Sequence, residues 1–313
     1  MSEKKVTSLV WFRNNLRVID NLSLKKSIEN SDKVIGYVNI DPNINSTTIY
    51  GFKKTEKFRI KFLLESISDL KKQLKKINVS LIVKNEDLKS SINSVIKKYE
   101  IDNIYIQKEW TRDELIEEEC IPSDINLIKD FDQFLFSPSG VSEIYENIPR
   151  GFSNFRKKCE KYLSIDDIIP TPKPLNKNNL IKEEYSVPSI SDLGYVEFEV
   201  HNDSTFKFLG GETHGINRVN EYFFESKNLS KYKLTRNGLV GKDYSSKISS
   251  WLANGSLSVK YVYSQIKIYE ETVEKNDSTY WLFFELIWRD FFKYVSMQHR
   301  DKFFSSNGIY GTE

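Results

Sequence analysis

The stretch STYWLFFELIWRDFF, residues 278–292, concentrates groups that could do chemistry. Trp281, Glu285, Trp288 and Phe292 fall at i, i+4, i+7 and i+11, so one helical face would carry three aromatic rings and a carboxylate. A carboxylate among rings is costly to bury unless paired, and Arg289, four residues on, is a partner on the same helix. Two readings stand: a structural pair inside an aromatic core, or an acid held at the edge of a ligand site. Upstream, Tyr232, Arg236, Lys242, Tyr244, Ser245, Ser246 and Lys247 set small hydroxyls beside basic and aromatic side chains, and the pattern starts a helix at Lys247. Free N–H groups at such a start, with hydroxyls beside them, suit a phosphate; the same residues suit an N-cap flanked by solvated lysines. A third set follows the N-terminal strand patterns: Arg13, Asn14, Asn15 and Arg17 after the first, Asp41 after the second, Asn85 after the third, Glu109 and Trp110 after the fourth. Open parallel sheets take ligands at those positions. Arg13, Arg17 and Asp20 are equally suited to capping and pairing at the start of the first helix.

Composition narrows the chemistry. The chain has 313 residues with 46 basic against 44 acidic, a net charge of +2, which points to neither a polycation nor an acidic tail, so any polyanion must be bound locally. Cys120 and Cys159 have no metal-type spacing and no paired framework, which fits a reducing compartment and no zinc. The opening MSEKKVTSLVWFRNN has too short an apolar run for a signal peptide, and no membrane-length apolar run occurs, so the expectation is a soluble, cytoplasmic protein with no membrane partner. There is no G-x-G-x-x-G, and Gly238, Gly241 and Lys242 mimic only half of a phosphate loop of the G-x-x-x-x-G-K type. Ala253 is the sole alanine while Lys, Asn and Ile abound, so Lys71, Lys72, Lys75 and Lys76 read as a solvated helix face.

These groups need a scaffold. Strands are expected over 6–12, 33–40, 79–84, 103–107 and 126–128, with a helix over about 55–77 whose apolar stripe is Phe58, Phe62, Leu63, Ile67, Leu70, Leu74 and Ile77. Strands separated by helices imply an α/β, Rossmann-like parallel sheet, placed at residues 1–135. Residues 136–200, rich in Pro and Gly with one short helix at 152–163, read as an interdomain connector. Residues 201–313 read as all-α, with helices near 214–225, 247–252, 259–274 and 278–299.

Four stretches in this order, VWFRNNLRVIDN (10–21), FLGGETHGINRVNEY (208–222), YKLTRNGLVGKDYSSKISSWLANGSLS (232–258) and STYWLFFELIWRDFF (278–292), resemble the cryptochrome and DNA photolyase family, and its DASH branch in particular. The resemblance implies an antenna-binding α/β domain followed by an all-α FAD-binding domain. It implies a light-dependent carbon–carbon lyase in which reduced, photoexcited FAD splits cyclobutane pyrimidine dimers, for the DASH branch preferably in single-stranded DNA. By position, Tyr232 and the run Ser245, Ser246, Lys247, Ile248 and Ser249 match the segment holding the flavin phosphates and ribityl chain. Glu285 and Trp288 match the lesion-facing pair, with Arg289 beside them near the flavin. Glu109 matches the acid that recognises the pterin of a 5,10-methenyltetrahydrofolate antenna. No side chain is assigned as general acid or nucleophile, because the cofactor carries the chemistry. Family members continue past WRDFF, whereas this chain stops at GIYGTE. The later part of such proteins supplies the adenine pocket and the residues around the isoalloxazine. The expectation is therefore an incomplete helical domain with exposed apolar faces, weak FAD binding, and a Glu–Trp–Arg stripe facing solvent or a partner. Two alternatives accompany the repair enzyme: a blue-light photoreceptor or DNA-binding regulator, and a truncated non-catalytic remnant.

Overall fold

The computed structural model describes residues 5–311. Strands β1 (Thr7–Trp11), β2 (Lys33–Asn39), β3 (Ser80–Lys84), β4 (Asn103–Gln107) and β5 (Asn126–Asp130) form one sheet in the order β3-β2-β1-β4-β5, every pair parallel. The apolar strands bury both faces: Leu9, Trp11, Ile35, Tyr37, Ile104 and Ile106 pack on one side, Val10, Val34, Val38 and Tyr105 on the other. Helices α1 (Leu22–Glu29), α2 (Lys57–Lys76), α3 (Leu88–Tyr99) and α4 (Arg112–Glu118) make the crossovers. In α2 the buried line runs Ile60, Leu64, Ile67, Leu70 and Leu74; Phe58, part of the stripe read from the sequence, is 59% exposed, one residue inside the helix start.

The connector holds two helices rather than one. Besides α6 (Phe152–Tyr162) there is α5 (Pro138–Ile144), capped by Ser137 with proline at its first position. The chain then runs back over the sheet with little regular structure. Leu175 N–H donates to Ile77 O at 3.0 Å, and the Asn179 amide accepts from Val34 N–H at 2.8 Å and donates to Val34 O at 2.9 Å. Ile190, Leu193 and Tyr195 complete the core on that side of the sheet.

The remaining helices are α7 (Glu212–Asn220), which runs into a π turn at Glu221–Glu225, then α8 (Tyr232–Thr235), α9 (Ser249–Ala253), α10 (Val259–Thr272) and α11 (Asp277–His299). A capping box of Asn276 and Thr279 starts α11, which buries Leu282, Leu286, Ile287, Phe291, Tyr294 and Val295. The helix expected from Lys247 begins at Ser249, because Lys247 adopts a left-handed φ of 61° that a helix cannot continue. Among the described residues no helix is long and apolar enough to cross a membrane.

Buried polar groups join the sheet to the helices. Arg17, 2% exposed, donates to Asp20 O, Asp132 O and Gly255 O at 2.8–3.1 Å. Asp20 accepts from Ile169 N–H at 3.0 Å and from the Ser258 hydroxyl at 2.5 Å. Asp290, fully buried on α11, accepts from Leu135 and Phe136 N–H at 2.7 and 2.9 Å. Glu212, the first residue of α7, accepts from Val18 and Ile19 N–H at 3.0 and 2.8 Å. The cap of α1 is Asn21, so Arg17 and Asp20 serve this joint rather than the helix start.

Burial pushes the Glu212 carboxyl up from 4.5 to about 7. The folded protein thus holds a proton that the unfolded chain releases. This share of stability, about 3 kcal/mol, is full below pH 4.5 and is lost as pH rises through about 7. Urea unfolding at pH 5.5 and 8.5 should show the loss, and Glu212→Gln should flatten it. Asp290, raised by burial to about 6, adds a slope of the same sign that the variant keeps. An unchanged slope in Glu212→Gln would assign the whole effect elsewhere.

Candidate functional site

The loop before α9 presents a set of unused donors. Among the described residues, the N–H groups of Ser245, Ser246 and Lys247 donate to no acceptor, nor do the hydroxyls of Ser245, Ser246 and Ser249. Ser246 and Ile248 are buried, which leaves Ile248 only its backbone to offer a ligand. The helix behind the loop has five residues, too short for its dipole to matter, so loop donors carry any anion affinity. The Lys247 ammonium sits on Tyr244, over the ring at 3.6 Å from its centroid and against its hydroxyl. Tyr232 opens α8 and is buried, which raises its phenol to about 12.

Glu285 does not pair with Arg289. Its Oε1 lies 2.6 Å from Nη1 of Arg236, just past the end of α8, and both side chains are 29% exposed. Arg289 turns the other way, donating to Gln133 O at 2.8 Å and Leu252 O at 3.4 Å, with Asp290 beside it at 3.4 Å. The i,i+4 spacing allowed their contact, but backbone acceptors on the sheet side and a cation from α8 draw the two apart. Trp288 stacks on Phe152 of α6, centroids 3.6 Å apart and planes at 10°, and on Phe292 at 5.3 Å and 22°. Phe292 is 59% exposed, so the stripe is neither a sealed core nor an open face.

Glu109 lies elsewhere, at the joint. It is 8% exposed, accepts from the Gln107 amide at 2.7 Å, and shares a cavity of about 50 Å³ with Arg17, Asp132, Arg289 and Lys293. Burial raises Glu109; burial and the Arg289 charge lower Lys293 to about 8. A much larger cavity, about 980 Å³, opens beyond the carboxyl ends of β1 and β2, beside the point where strand order reverses, with Arg13, Asn14, Asp41, Lys54 and Arg59 in its wall. Arg13 there is tied to Gln107 O at 2.8 Å and Glu118 at 2.9 Å. Asn85 and Trp110 lie outside this cavity, engaged with Ile40 O and Ser296 Oγ at 3.1 and 3.0 Å.

The structure thus brings Tyr232, Arg236 and Glu285 together and sets the serine run against Arg218, with Arg289 linking α11 to α9 and Glu109 at the joint. Reading the sequence missed Arg218, Arg236 as the partner of Glu285, and Lys293. Only Lys293, four residues after Arg289, carried a local signal.

The profile of the DNA photolyase family matches residues 8–175. The chain belongs to this family. Within it the chain is similar to DASH cryptochromes: that of Gloeobacter violaceus is 36% identical over 318 residues, covering 100% of this chain and 63% of the relative. The crystal structure of the Synechocystis sp. PCC6803 cryptochrome matches with a TM-score of 0.89 and 34% identity over 99% of this chain and 65% of that one. An archaeal photolyase from Sulfolobus tokodaii, solved with two FAD molecules, shares the fold at a TM-score of 0.69 and 19% identity, over 95% of this chain and 61% of its own. The chain spans a little under two thirds of the length of the DASH relative it matches. Members of the family normally bind FAD.

Proposed function

We propose that the chain is the α/β antenna domain (1–135), connector (136–200) and first helical part (201–313) of a DASH-type, light-dependent photolyase that holds FAD and acts on cyclobutane pyrimidine dimers, preferably in single-stranded DNA. The observation that carries this reading is the unpartnered donor set of Ser245, Ser246, Lys247 and Ser249, whose chemistry fits phosphates. When bound, the reduced flavin supplies the light-driven electron that splits the dimer. The residues on this chain bind and orient. Ser245–Ser249 hold the phosphates and ribityl chain, Arg289 keeps α11 against α9 near the ring, and Glu285 offers a carboxylate to pyrimidine edges. Arg236 already occupies that carboxylate, so lesion entry must share or displace the ion pair. Glu109 has the right chemistry for a pterin, but a 50 Å³ cavity holds about one or two waters, so methenyltetrahydrofolate there requires the cavity to widen.

An absorption spectrum after gel filtration, with released cofactors identified by mass, tests the flavin reading. FAD at well below one per chain is expected, in line with the weak binding expected of this helical part; folate alone, or no chromophore, overturns it. Trp288 already stacks on Phe152 and Phe292, which favours a second reading: a flavin photoreceptor or DNA-binding regulator without dimer repair. Trp288→Ala separates the two. In the repair reading it weakens binding of a dimer-containing single strand by about 1–3 kcal/mol; equal binding returns the indole to packing alone.

A further inference from the structure

The side chain of Arg218 on α7 is 1% exposed, and all five of its N–H donors are committed. Nε donates to Ser246 O at 3.0 Å, and Nη2 to Lys242 O at 2.9 Å and Ser245 O at 3.3 Å. Nη1 meets Glu221 at 3.0 Å and Asp243 at 3.1 Å. The rings of Phe208 and Tyr222 flank the guanidinium at 4.7 and 5.0 Å. Three of the five acceptors are carbonyl oxygens of one short loop.

We propose that Arg218 is the positioning residue of the phosphate loop, holding its carbonyls inward so that its N–H groups stay free for an anion. The argument is the geometry of the peptide unit. In a planar trans peptide the carbonyl and the following N–H point in opposite directions. Drawing Ser245 O and Ser246 O onto Arg218 therefore turns the N–H groups of Ser246 and Lys247 the other way, and these are the groups with no internal acceptor. A lysine at 218 would offer one ammonium on a flexible stem and could not hold all three carbonyls in one plane. The loop cannot collapse onto its own donors while the guanidinium occupies its carbonyls.

The inference rests on the flavin-phosphate reading, and the test separates the two. Equilibrium dialysis of the 313-residue chain against FAD and riboflavin, which lacks phosphates, is compared between wild type and Arg218→Lys. The variant should lose tenfold or more in FAD affinity and less than twofold in riboflavin affinity. Equal loss of both ligands, or of neither, overturns the positioning role. Failure of the wild type to bind FAD overturns the flavin reading, and Arg218 is then judged on trypsin cleavage after Lys242 and Lys247 in ligand-free protein. That cleavage should quicken about tenfold in the variant; an unchanged rate overturns the role. Should Arg218→Lys fail to fold, Asp243→Ala, which removes one half-exposed acceptor, should give the same pattern at about threefold.

Discussion

Arg17→Ala is expected to lower the stability of the chain by about 3–5 kcal/mol, the range for breaking one partner out of a buried charge pair. Arg17 ties three segments: its own loop through Asp20 O, the end of the sheet through Asp132, and the turn before α10 through Gly255 O. Its Nη2 stands 3.4 Å from Asp132 Oδ1, an oxygen with no hydrogen-bond partner of its own, and the Asp132 carboxyl is already pushed up by burial. Without the guanidinium, that acid stays buried and uncompensated, and three carbonyls lose their donors. Urea unfolding followed by circular dichroism reads the loss. Arg17→Lys should recover less than half, since an ammonium cannot span acceptors on three sides. A loss under 1 kcal/mol for the alanine variant would mean that apolar contacts alone hold the joint.

Gly255→Ala should cost more than about 3 kcal/mol, although it adds only a methyl group. The residue has φ +69°, and a Cβ there would stand 1.8 Å from Asn14 O and 2.5 Å from Asn14 C. Both obstacles are backbone, so relief requires the helical part to lift off the loop after β1. Gly241→Ala is the control. Its φ is +83° with nothing within 4 Å of the added carbon, so it should pay only the left-handed penalty, about 1 kcal/mol. Thermal melts of the two variants should differ by more than 2 kcal/mol; equal melts would show that the contact with Asn14 yields freely.

Much of this was legible in the residues. The five strands stand where β-branched runs predicted them, within about two residues, because hydrophobic runs bounded by polar turns are a local signal. Helix α5 was missed because Pro138 and Gly140 read as loop, whereas a proline at the first helical position behind a serine cap starts a helix. Of the ligand-like run Arg13, Asn14, Asn15 and Arg17, only the Arg17 side chain proved to bond to the helical part among the described residues, with Asp20 close by doing the same, and no local pattern could have said so. The partners of Arg17 and Asp20 at Gly255 and Ser258 are 238 residues away. The site was half legible. The resemblance supplied Tyr232, the serine run and Glu285; the structure sets Tyr232 near Glu285 and the serine run against Arg218. The Glu285–Arg236 pair spans 49 residues and the contacts of Arg218 with the loop carbonyls span 24 to 28, beyond any helical period.

The Asn179 amide, clasping both polar groups of Val34, imposes an order on synthesis. Val34 lies opposite Ser8 of β1, yet its own N–H and carbonyl find their partner only when a residue 145 positions later has been made. A nascent chain emerging from the ribosome would have all five strands available by residue 130 and still lack Asn179, together with Ile190, Leu193 and Tyr195 on one face. The sheet would wait, collapsed but unsealed, for some fifty further residues, at ribosomal speed about 3–10 seconds. Co-translational assembly of this protein is thus not a matter of one unit maturing and then the next: the first half is finished by the segment that leads out of it.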